Sequence, residues 1–436
     1  MSLETPTPGG PSRAEIAGAA PHRRSLWRHR DFVKLWSAQT VSQFGDEVTQ
    51  LALPLVAIIT LGATPLEIGF LGTFQFLPFI LLTIPAGVWV DRMRRKPILI
   101  AADIGRAVLL TSIPVAFVGG WLSIPQLYVV GFLVGCLEVF FDIAYQSYLP
   151  SIVERDQLVE GNAKLELSMS ASSVIGPGIA GFLVELLRAP FAILFDALSY
   201  VAAVLMLLVI RRPEAPPTPH DPQTGPRPSM RTEAVEGLRY VLGHRYLRNI
   251  AACTGTLNLF GNVSGVILLI YIINELGLTA GTVGIVFAIA NLGVLLGAVS
   301  AERLARWIGV GPTIVWSAFV SAFAMIPVAL APRDGGAEPY LVVAGIINAA
   351  TSVIYNVNQV SLRQAITPER MLGRMNATMR FIVWGTIPIG SIVGGLLGGL
   401  IGLQTTIWVG VIGSFIGFLP VFFSQVRSLQ RIPESS

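Results

Sequence analysis

The sequence predicts an all-α integral membrane protein with twelve transmembrane helices in two pseudo-symmetric bundles of six. Three observations predict it: the composition, the recurrence of long apolar segments and the distribution of basic residues. Of the 436 residues, 53% are hydrophobic and 13% are charged, whereas about a quarter of the residues in a soluble domain are charged. So few charges cannot cover a surface that faces water, but they suit a surface that faces lipid.

Apolar segments recur twelve times along the chain, each close to the length of about 20 residues that crosses a bilayer as a helix. The predicted spans are 34–60, 66–90, 98–118, 126–148, 165–186, 190–210, 247–273, 280–301, 312–331, 339–362, 375–400 and 404–425. The stretch between the sixth and seventh spans is rich in proline and polar residues, which predicts a flexible linker. The predicted domains are a disordered cytoplasmic tail at 1–30, an N-terminal bundle at 31–211, a cytoplasmic linker at 212–246, a C-terminal bundle at 247–426 and a cytoplasmic tail at 427–436.

Basic residues fall almost entirely on one side of the predicted membrane. With twelve spans and a cytoplasmic N-terminus, only Arg188 and Arg333 lie on the outer side. Cytoplasmic loops carry an excess of Lys and Arg, and an odd number of spans would destroy this asymmetry. We therefore expect a multi-pass protein of the bacterial inner membrane, with both termini cytoplasmic and the lipid bilayer as a partner. The net charge of +4 follows from this topology and does not predict nucleic-acid binding.

The two predicted bundles also resemble each other in sequence. Residues 162–183 align without gaps on 376–397, and Asn162 and Gly181 match Asn376 and Gly395. Each segment opens the fifth helix of its bundle, which favours a duplication over chance similarity between apolar sequences. Parallel repeats with a substrate site at their interface are a transporter architecture.

Polar side chains inside the predicted spans follow helical spacing in the first helix of each group of three, which are helices 1, 4, 7 and 10. Such residues are costly in hydrocarbon and usually face a cavity or a partner helix. Four stripes at three-helix intervals favour one central substrate cavity, although any single stripe could instead hydrogen-bond between helices. The predicted cavity residues are Gln39, Gln43, Asp46, Gln50, Glu138, Asp142, Gln146, Asn258, Asn262, Tyr355 and Gln359.

The carboxylates on these stripes are candidates for proton coupling. An acid in a poorly solvated cavity favours its neutral form and can therefore load and release a proton. Asp46 in helix 1 and Glu138 in helix 4 are the leading candidates, and Asp142 is a weaker one. Glu47 lies one residue off its stripe, which favours a structural role. The alternative for these acids is an ion pair with an intramembrane arginine such as Arg106.

The loop after helix 2 reads GVWVDRMRRKP over residues 87–97. It resembles the GxxxDRxGRR/K signature of the major facilitator superfamily, with Arg94 where that family usually has Gly. The resemblance implies the major facilitator fold and a gate built from Gly87, Asp91, Arg92 and Arg95. Gly87 would allow close helix contact, Asp91 would cap a neighbouring helix N-terminus, and the arginines would hold the cytoplasmic side. The alternative is a plain topological anchor.

Helix 5 contains the sequence GPGIAG over residues 176–181. It resembles the GPxxGG element of drug antiporters, with Ala180 in place of one glycine. The resemblance implies a bend and a narrow face at Gly176, Pro177 and Gly181, by which helix 5 packs against helix 8 in a gate. The alternative is ordinary close packing between small residues.

Three further stretches resemble the macrolide-efflux and enterobactin-exporter-like branch of the superfamily. They are GDE with the following ALPL in helix 1, AADIGRA at 101–107 in helix 3, and FDALSY at 195–200 in helix 6. The resemblance implies alternating-access export of a drug-like or natural-product molecule by proton antiport, and hence antibiotic resistance. One departure is that helix 4 lacks the RxxxG element of many proton-coupled exporters and carries Glu138 and Asp142 instead.

Other function classes find less support in these 436 residues. None of the four histidines lies in a predicted span, and HExxH, GxSxG and GxxxxGK[ST] motifs do not occur, so we expect no enzyme, metal site, cofactor or ATP-driven pump. A small-molecule substrate and protons are the expected partners, and a monomer is the expected state. The alternatives that remain are a siderophore or metabolite exporter, a substrate importer, and a non-transporting receptor or scaffold.

Overall fold

The computed structural model describes residues 26–90, 92–154, 157–212, 214 and 230–431, and over these residues it is helical with no strand. The long helices are α1 Arg30–Leu55, α2 Pro65–Val90, α3 Arg95–Gly119, α4 Ile124–Ile152, α5 Leu158–Leu187, α6 Ala189–Leu208, α7 Leu247–Asn274, α8 Ala280–Ile308, α9 Val310–Phe323, α10 Glu338–Ala365, α11 Glu369–Ile401 and α12 Leu403–Phe422. A short helix, Ile326–Ala329, continues α9. Among the described helices, eleven spans are long and apolar enough to cross a membrane. The predicted all-α membrane fold is confirmed.

Helix α1 is the long helix outside that set of eleven. Its 26 residues rise about 39 Å at 1.5 Å per residue, which is enough to cross a bilayer. It carries Asp46 and Glu47 together with several glutamines, and these lower its hydropathy. Because α1 packs against α5 and α6, its polar groups lie within the bundle rather than against lipid, as intramembrane polar groups usually do.

The helix boundaries follow local chemistry. Gly120 ends α3 in the left-handed conformation at a φ of 74°, which a residue without Cβ adopts at little cost. Pro190 stands at the start of α6, where its missing N–H costs nothing. Inside α1, Pro54 is followed by a π-helical turn at Val56–Thr60, since proline removes one hydrogen bond from the helical ladder.

The buried apolar side chains form three clusters, and their distribution shows which end of the molecule is closed. We call α1–α6 the N-half, α7–α12 the C-half, the end that bears the α6–α7 connection the linker end, and the opposite end the outer end. The largest cluster joins residues of both halves at the outer end, among them Leu110, Ile193, Ile270 and Val283. At the linker end, the described residues form one cluster within the N-half and another within the C-half. The two halves therefore share a core at the outer end and separate toward the linker end.

Small residues make this shared outer contact possible. A Cβ on Gly69 of α2 would lie 2.5 Å from the backbone oxygen of Ser391 in α11, and one on Gly395 would lie 3.1 Å from the Cα of Gly69. The hydroxyl of Thr73 donates to the carbonyl oxygen of Pro388 across the same interface at 3.2 Å. Because α2 begins and α11 ends at the outer end, the halves touch there through backbone.

A helix at Met230–Gly243, which we call the linker helix, lies in the connection between the halves. The prediction of a flexible linker is wrong for these residues, while 213 and 215–229 lie outside the described part. The linker helix packs against α11, where Glu236 pairs with Arg374 at 2.9 Å. A Cβ on Gly237 would lie 2.8 Å from the backbone oxygen of Arg374, and Val241 is fully buried. Tertiary contact thus stabilises a 14-residue helix that is too short to be stable alone.

Cysteine labelling in intact cells tests which end of the molecule faces the cytoplasm. In a background carrying Cys136→Ser and Cys253→Ala, Asp334→Cys should react with an impermeant maleimide, because Asp334 is exposed in the α9–α10 connection at the outer end. Ala234→Cys, exposed on the linker helix, should react only after the cells are permeabilised. The reverse pattern would invert the topology.

Candidate functional site

Charged side chains meet inside the N-half around a single arginine, Arg106 of α3. We call this group the charged cluster, and it consists of Asp46, Asp103, Arg106, Glu138, Asp142, Asp196 and Tyr200. Arg106 is 2% exposed and Asp103 is fully buried, and a guanidinium nitrogen of Arg106 lies 2.5 Å from a carboxylate oxygen of Asp103. A buried ion keeps its charge only where partners replace the lost water.

Two aromatic rings enclose the guanidinium of Arg106. Its Cζ atom lies 4.3 Å from the ring centroid of Phe141 in α4 and 4.3 Å from that of Tyr200 in α6. An aromatic face attracts a cation within about 6 Å, and more strongly when water is excluded. Three helices of the N-half therefore contribute directly to the surroundings of this cation.

Tyr200 links Arg106 to the predicted proton carrier in α1. Its hydroxyl accepts from the Arg106 guanidinium at 3.4 Å and donates to a carboxylate oxygen of Asp46 in a short hydrogen bond. Glu138 and Asp142 of α4 lie within range of the charge of Arg106 as well. Asp46 and Glu138 are half-buried, and Asp142 is exposed.

The acid of α6, Asp196, completes the group. It is fully buried and accepts hydrogen bonds from Thr49 of α1 and from its neighbour Ser199, the latter at 3.1 Å. A Cβ on Gly45 would lie 2.3 Å from the Asp196 carboxylate, so glycine is required there for α1 and α6 to approach. This approach brings the carboxylates of Asp46 and Asp196 into one electrostatic group.

Part of the charged cluster could be predicted from the sequence. It singled out Asp46, Glu138 and Asp142 by their spacing and Arg106 as a pairing partner, but it did not select Asp103 or Asp196. These two acids lie in AADIGRA and FDALSY, stretches that carry the family resemblance. An ionisable residue inside a predicted span was the signal that would have found them.

The second site is a cavity of about 970 Å³ within the C-half. It is lined by residues of α7 to α12 and includes the predicted Asn258, Asn262, Tyr355 and Gln359. Tyr355 and Thr254 share a hydrogen bond at 2.8 Å, and Gln359 donates to Asn356 at 2.9 Å. The stripes of α7 and α10 therefore face one polar cavity, as the spacing predicted.

The other two predicted stripes do not reach this cavity, so the structure does not bring the four stripes together. Gln39 borders a small void beside Asp103, and Gln43 is half-buried with a side-chain oxygen that has no partner among the described residues. Gln50 and Gln146 are exposed. The two halves are apart at the linker end, and their polar faces form two groups: carboxylates and glutamines in the N-half, and mainly amides in the C-half cavity.

The predicted gate after α2 is only partly described, because Asp91 lies outside the described residues. Arg92 is exposed. Among the described residues, nothing lies within 4 Å of a Cβ on Gly87, so the close helix contact expected there is not formed by this part of the chain. The N-terminus of α3 is capped by Glu214, whose carboxylate accepts from the backbone N–H of Arg95 at 2.7 Å. The Arg95 side chain also pairs with Glu214 at 3.4 Å.

The contact predicted between helix 5 and helix 8 is present at Pro177 and Gly181. The prediction is wrong for Gly176, and the role of the contact as a gate stays a prediction. A Cβ on Gly181 would lie 2.5 Å from the backbone oxygen of Ala280, and one on Gly284 of α8 would lie 2.4 Å from that of Pro177. Gly176 instead faces α1, where its Cβ would lie 2.6 Å from the Cβ of Glu47. Glu47 therefore packs against α5, consistent with the structural role predicted for it.

The sequence is similar to transporters of one superfamily. The family model of the Major Facilitator Superfamily matches residues 35–332 and 250–435. The multidrug efflux pump Tap of Mycolicibacterium fortuitum is 24% identical over 406 residues, 88% of this chain and 93% of that protein. Macrolide efflux protein A of Streptococcus pyogenes is 24% identical over 185 residues, 42% of this chain and 45% of that protein.

Solved structures of transporters share the fold. A bacterial homologue of the iron transporter ferroportin in the inward-facing state superposes with a TM-score of 0.71 at 17% identity, covering 92% of this chain and 99% of that one. The nucleoside transporter NupG gives a TM-score of 0.67 at 13% identity, covering 91% of this chain and 100% of that one. At such identities the likeness concerns the fold alone.

Replacement of Arg106 should destabilise the N-half. Arg106→Gln leaves buried Asp103 without its cation, and breaking a buried pair costs about 3–5 kcal/mol. We expect a clear fall in melting temperature, measured by fluorescence-detected size exclusion after heating. Arg306→Gln is the control, because Arg306 pairs with Glu302 between exposed side chains 3.7 Å apart, and such pairs contribute little. Equal melting temperatures for both variants would contradict the structural role of the charged cluster.

A bulky residue at the α5–α8 contact should open the outer end. Gly181→Leu places atoms where Ala280 and Gly284 approach within 3 Å, and overpacking of this kind costs about 1–3 kcal/mol. We expect faster labelling from outside of a cavity cysteine introduced by Ser352→Cys, together with reduced transport. Gly399→Leu is the control, since nothing lies within 4 Å of its Cβ. Unchanged labelling of the Gly181 variant would exclude this contact from the closure of the outer end.

Proposed function

Since the chain belongs to the Major Facilitator Superfamily, a family of transporters and not of enzymes, we propose that it is a secondary active efflux transporter. In this proposal it exports a drug-like or natural-product molecule across the cytoplasmic membrane by proton antiport with alternating access. The names of two similar proteins, a multidrug efflux pump and a macrolide efflux protein, support export as the direction of transport. The charged cluster of the N-half carries the proposal of proton coupling.

The distribution of contacts supports alternating access. The halves share a buried core and glycine contacts at the outer end and have separate cores at the linker end. With both termini and the linker in the cytoplasm, this is an inward-open state, and rocking of the halves would open the outer end. The interface is suited to such motion, because Gly181 and Gly284 bring backbones together without interlocking large side chains.

An excess of carboxylates supports proton coupling. Within the described charged cluster, five acids surround Arg106, which is the one cation of the group. Several uncompensated negative charges inside a membrane protein are costly, and protons relieve that cost. Asp46 and Glu138 are the proposed carriers, because both are half-buried and lie close enough to Arg106 to be influenced by its charge.

Tyr200 offers a physical link between proton binding and helix position. Its hydroxyl donates to Asp46 of α1 and accepts from Arg106 of α3. A charged carboxylate accepts a stronger hydrogen bond than a neutral one, so protonation of Asp46 would loosen the attachment of α1 to α6. In this proposal the proton changes the packing of the N-half, and the packing change alters which end is open.

The proposed transporter lies in the cell membrane as a monomer, with both termini in the cytoplasm. Its two bundles span residues 31–211 and 247–426. Gly87, Asp91 and the arginines after them would hold the linker end when the halves close there. Contact between the halves at that end would then replace the contact at the outer end.

Neutral substitutions at the two acids test the coupling. In proteoliposomes with an imposed pH gradient, the double variant Asp46→Asn/Glu138→Gln should lose gradient-driven transport of a panel of labelled macrolides and aromatic dyes. Exchange of labelled for unlabelled substrate without a gradient should remain, because the substitutions keep the shape of the side chains and fix the neutral form. Glu302→Gln, at an exposed position, is the control and should transport like the unmodified protein. Full gradient-driven transport by the double variant would show that neither acid carries the proton.

A further inference from the structure

We propose that the C-half cavity binds an amphipathic organic anion, with its carboxylate, sulfonate or phosphate group at Arg363 and its apolar body toward Arg380 and Trp384. This inference rests on the proposed function and names the substrate class of the same transporter. It is carried by the sign of the charges in the cavity and by two buried polar atoms that have no hydrogen-bond partner among the described residues.

The lining of the cavity contains cations and amides but no acid. Two arginines, Arg363 and Arg380, face a volume of about 970 Å³, and neither aspartate nor glutamate is among the described lining residues. The amide side chains that share the cavity are Asn258, Asn262, Asn348, Asn356, Asn376, Gln359 and Gln364. A cationic amphiphile would find no counter-charge in this lining, whereas an anion would find two.

Arg363 is the stronger of the two anchors. It is 7% exposed, and its Nε–H has no hydrogen-bond partner among the described residues. No described acidic residue forms an ion pair with it, although burial of a charge without a partner is costly. A guanidinium binds planar anions through paired hydrogen bonds, so an anionic ligand group would complete this site.

Gln359 adds a second requirement on the ligand. It lies one helical turn from Arg363 on the same face of α10, and it is 2% exposed. Its Nε2 donates to Asn356 at 2.9 Å, which fixes the orientation of the amide, while its Oε1 has no described partner. The anion should therefore carry a hydroxyl or N–H donor close to its charged group.

Arg380 and Trp384 would contact the apolar body of the ligand. Both lie on one face of α11 and line the cavity, with the Cζ of Arg380 5.7 Å from the Trp384 ring centroid. Arg380 is exposed, so its charge is hydrated and attracts an anion more weakly than a buried charge would. An aromatic or alicyclic ligand body could stack on the indole while its anionic end reaches Arg363.

A pair of matched probes tests the preference for an anion. 8-Anilinonaphthalene-1-sulfonate and N-phenyl-1-naphthylamine share an aromatic skeleton and differ by one permanently charged sulfonate. Equilibrium dialysis against the full-length protein in lipid nanodiscs, with empty nanodiscs subtracted, should show at least about 10-fold tighter binding of the sulfonate, a typical effect of charge-assisted hydrogen bonds. Equal binding of the two probes would overturn the proposal.

Substitutions then assign the preference to the cavity. Arg363→Gln should weaken sulfonate binding by about 10-fold and leave binding of the neutral probe unchanged, while Arg363→Lys should retain part of the preference. Arg380→Gln, at an exposed position, should weaken sulfonate binding by a smaller factor. Arg370→Gln is the control, because Arg370 is exposed on α11 and lies outside the cavity lining. An equal loss for Arg370→Gln, or no loss for both cavity variants, would exclude the site.

The proposed function can fail separately from this inference. Anion-selective binding that depends on Arg363, without any gradient-driven transport, would support the site and contradict proton-coupled efflux. Gradient-driven export of neutral or cationic compounds, with no anion preference in the dialysis, would support efflux and overturn the substrate class proposed here.

Discussion

The packing of the N-half depends on one buried cation. Arg106 lies between the rings of Phe141 and Tyr200 and against the carboxylate of Asp103, so that α3, α4 and α6 are held around a single guanidinium. Tyr200 extends this arrangement to α1 through Asp46. A charge without water must be surrounded by groups that replace its hydration, and the side chains that do so fix the relative positions of four helices.

The interface between the halves obeys a different constraint. It contains close approaches of backbone at Gly181 and Gly284 and at Gly69 and Gly395, with few charged contacts. In a membrane, where helix association depends on packing rather than on exclusion of water, such contacts can form at one end and separate without leaving large unpaired polar surfaces. An interface of small residues is compatible with rocking, because the buried charges of the N-half would stay within that half when the halves move apart.

The sequence predicted the helices well and the cavity only in part, for identifiable reasons. Long apolar runs set the spans whatever the tertiary contacts are, and helical spacing placed Asp46 and Glu138 on faces that meet Arg106. Spacing says nothing about which conformational state a transporter adopts, so it could not show that, of the four stripes, only those of α7 and α10 line the C-half cavity. The linker helix escaped prediction because its stability depends on contact with α11, as the pair Glu236 and Arg374 shows. Asp103 and Asp196 were not predicted because each is the only acid of its helix and so forms no polar stripe with helical spacing.

The two halves differ in the sign of their internal charge, and this difference constrains any mechanism. Acids dominate the N-half and arginines the C-half cavity, so an entering proton is favoured on one side and an entering anion on the other. Proton loading of the kind proposed would make the N-half less negative and would reduce its repulsion of an anion held across the central space. Antiport instead requires that proton and substrate do not occupy the transporter together in the state that crosses, so for antiport the coupling must come from helix movement through Tyr200 rather than from direct attraction across the cavity.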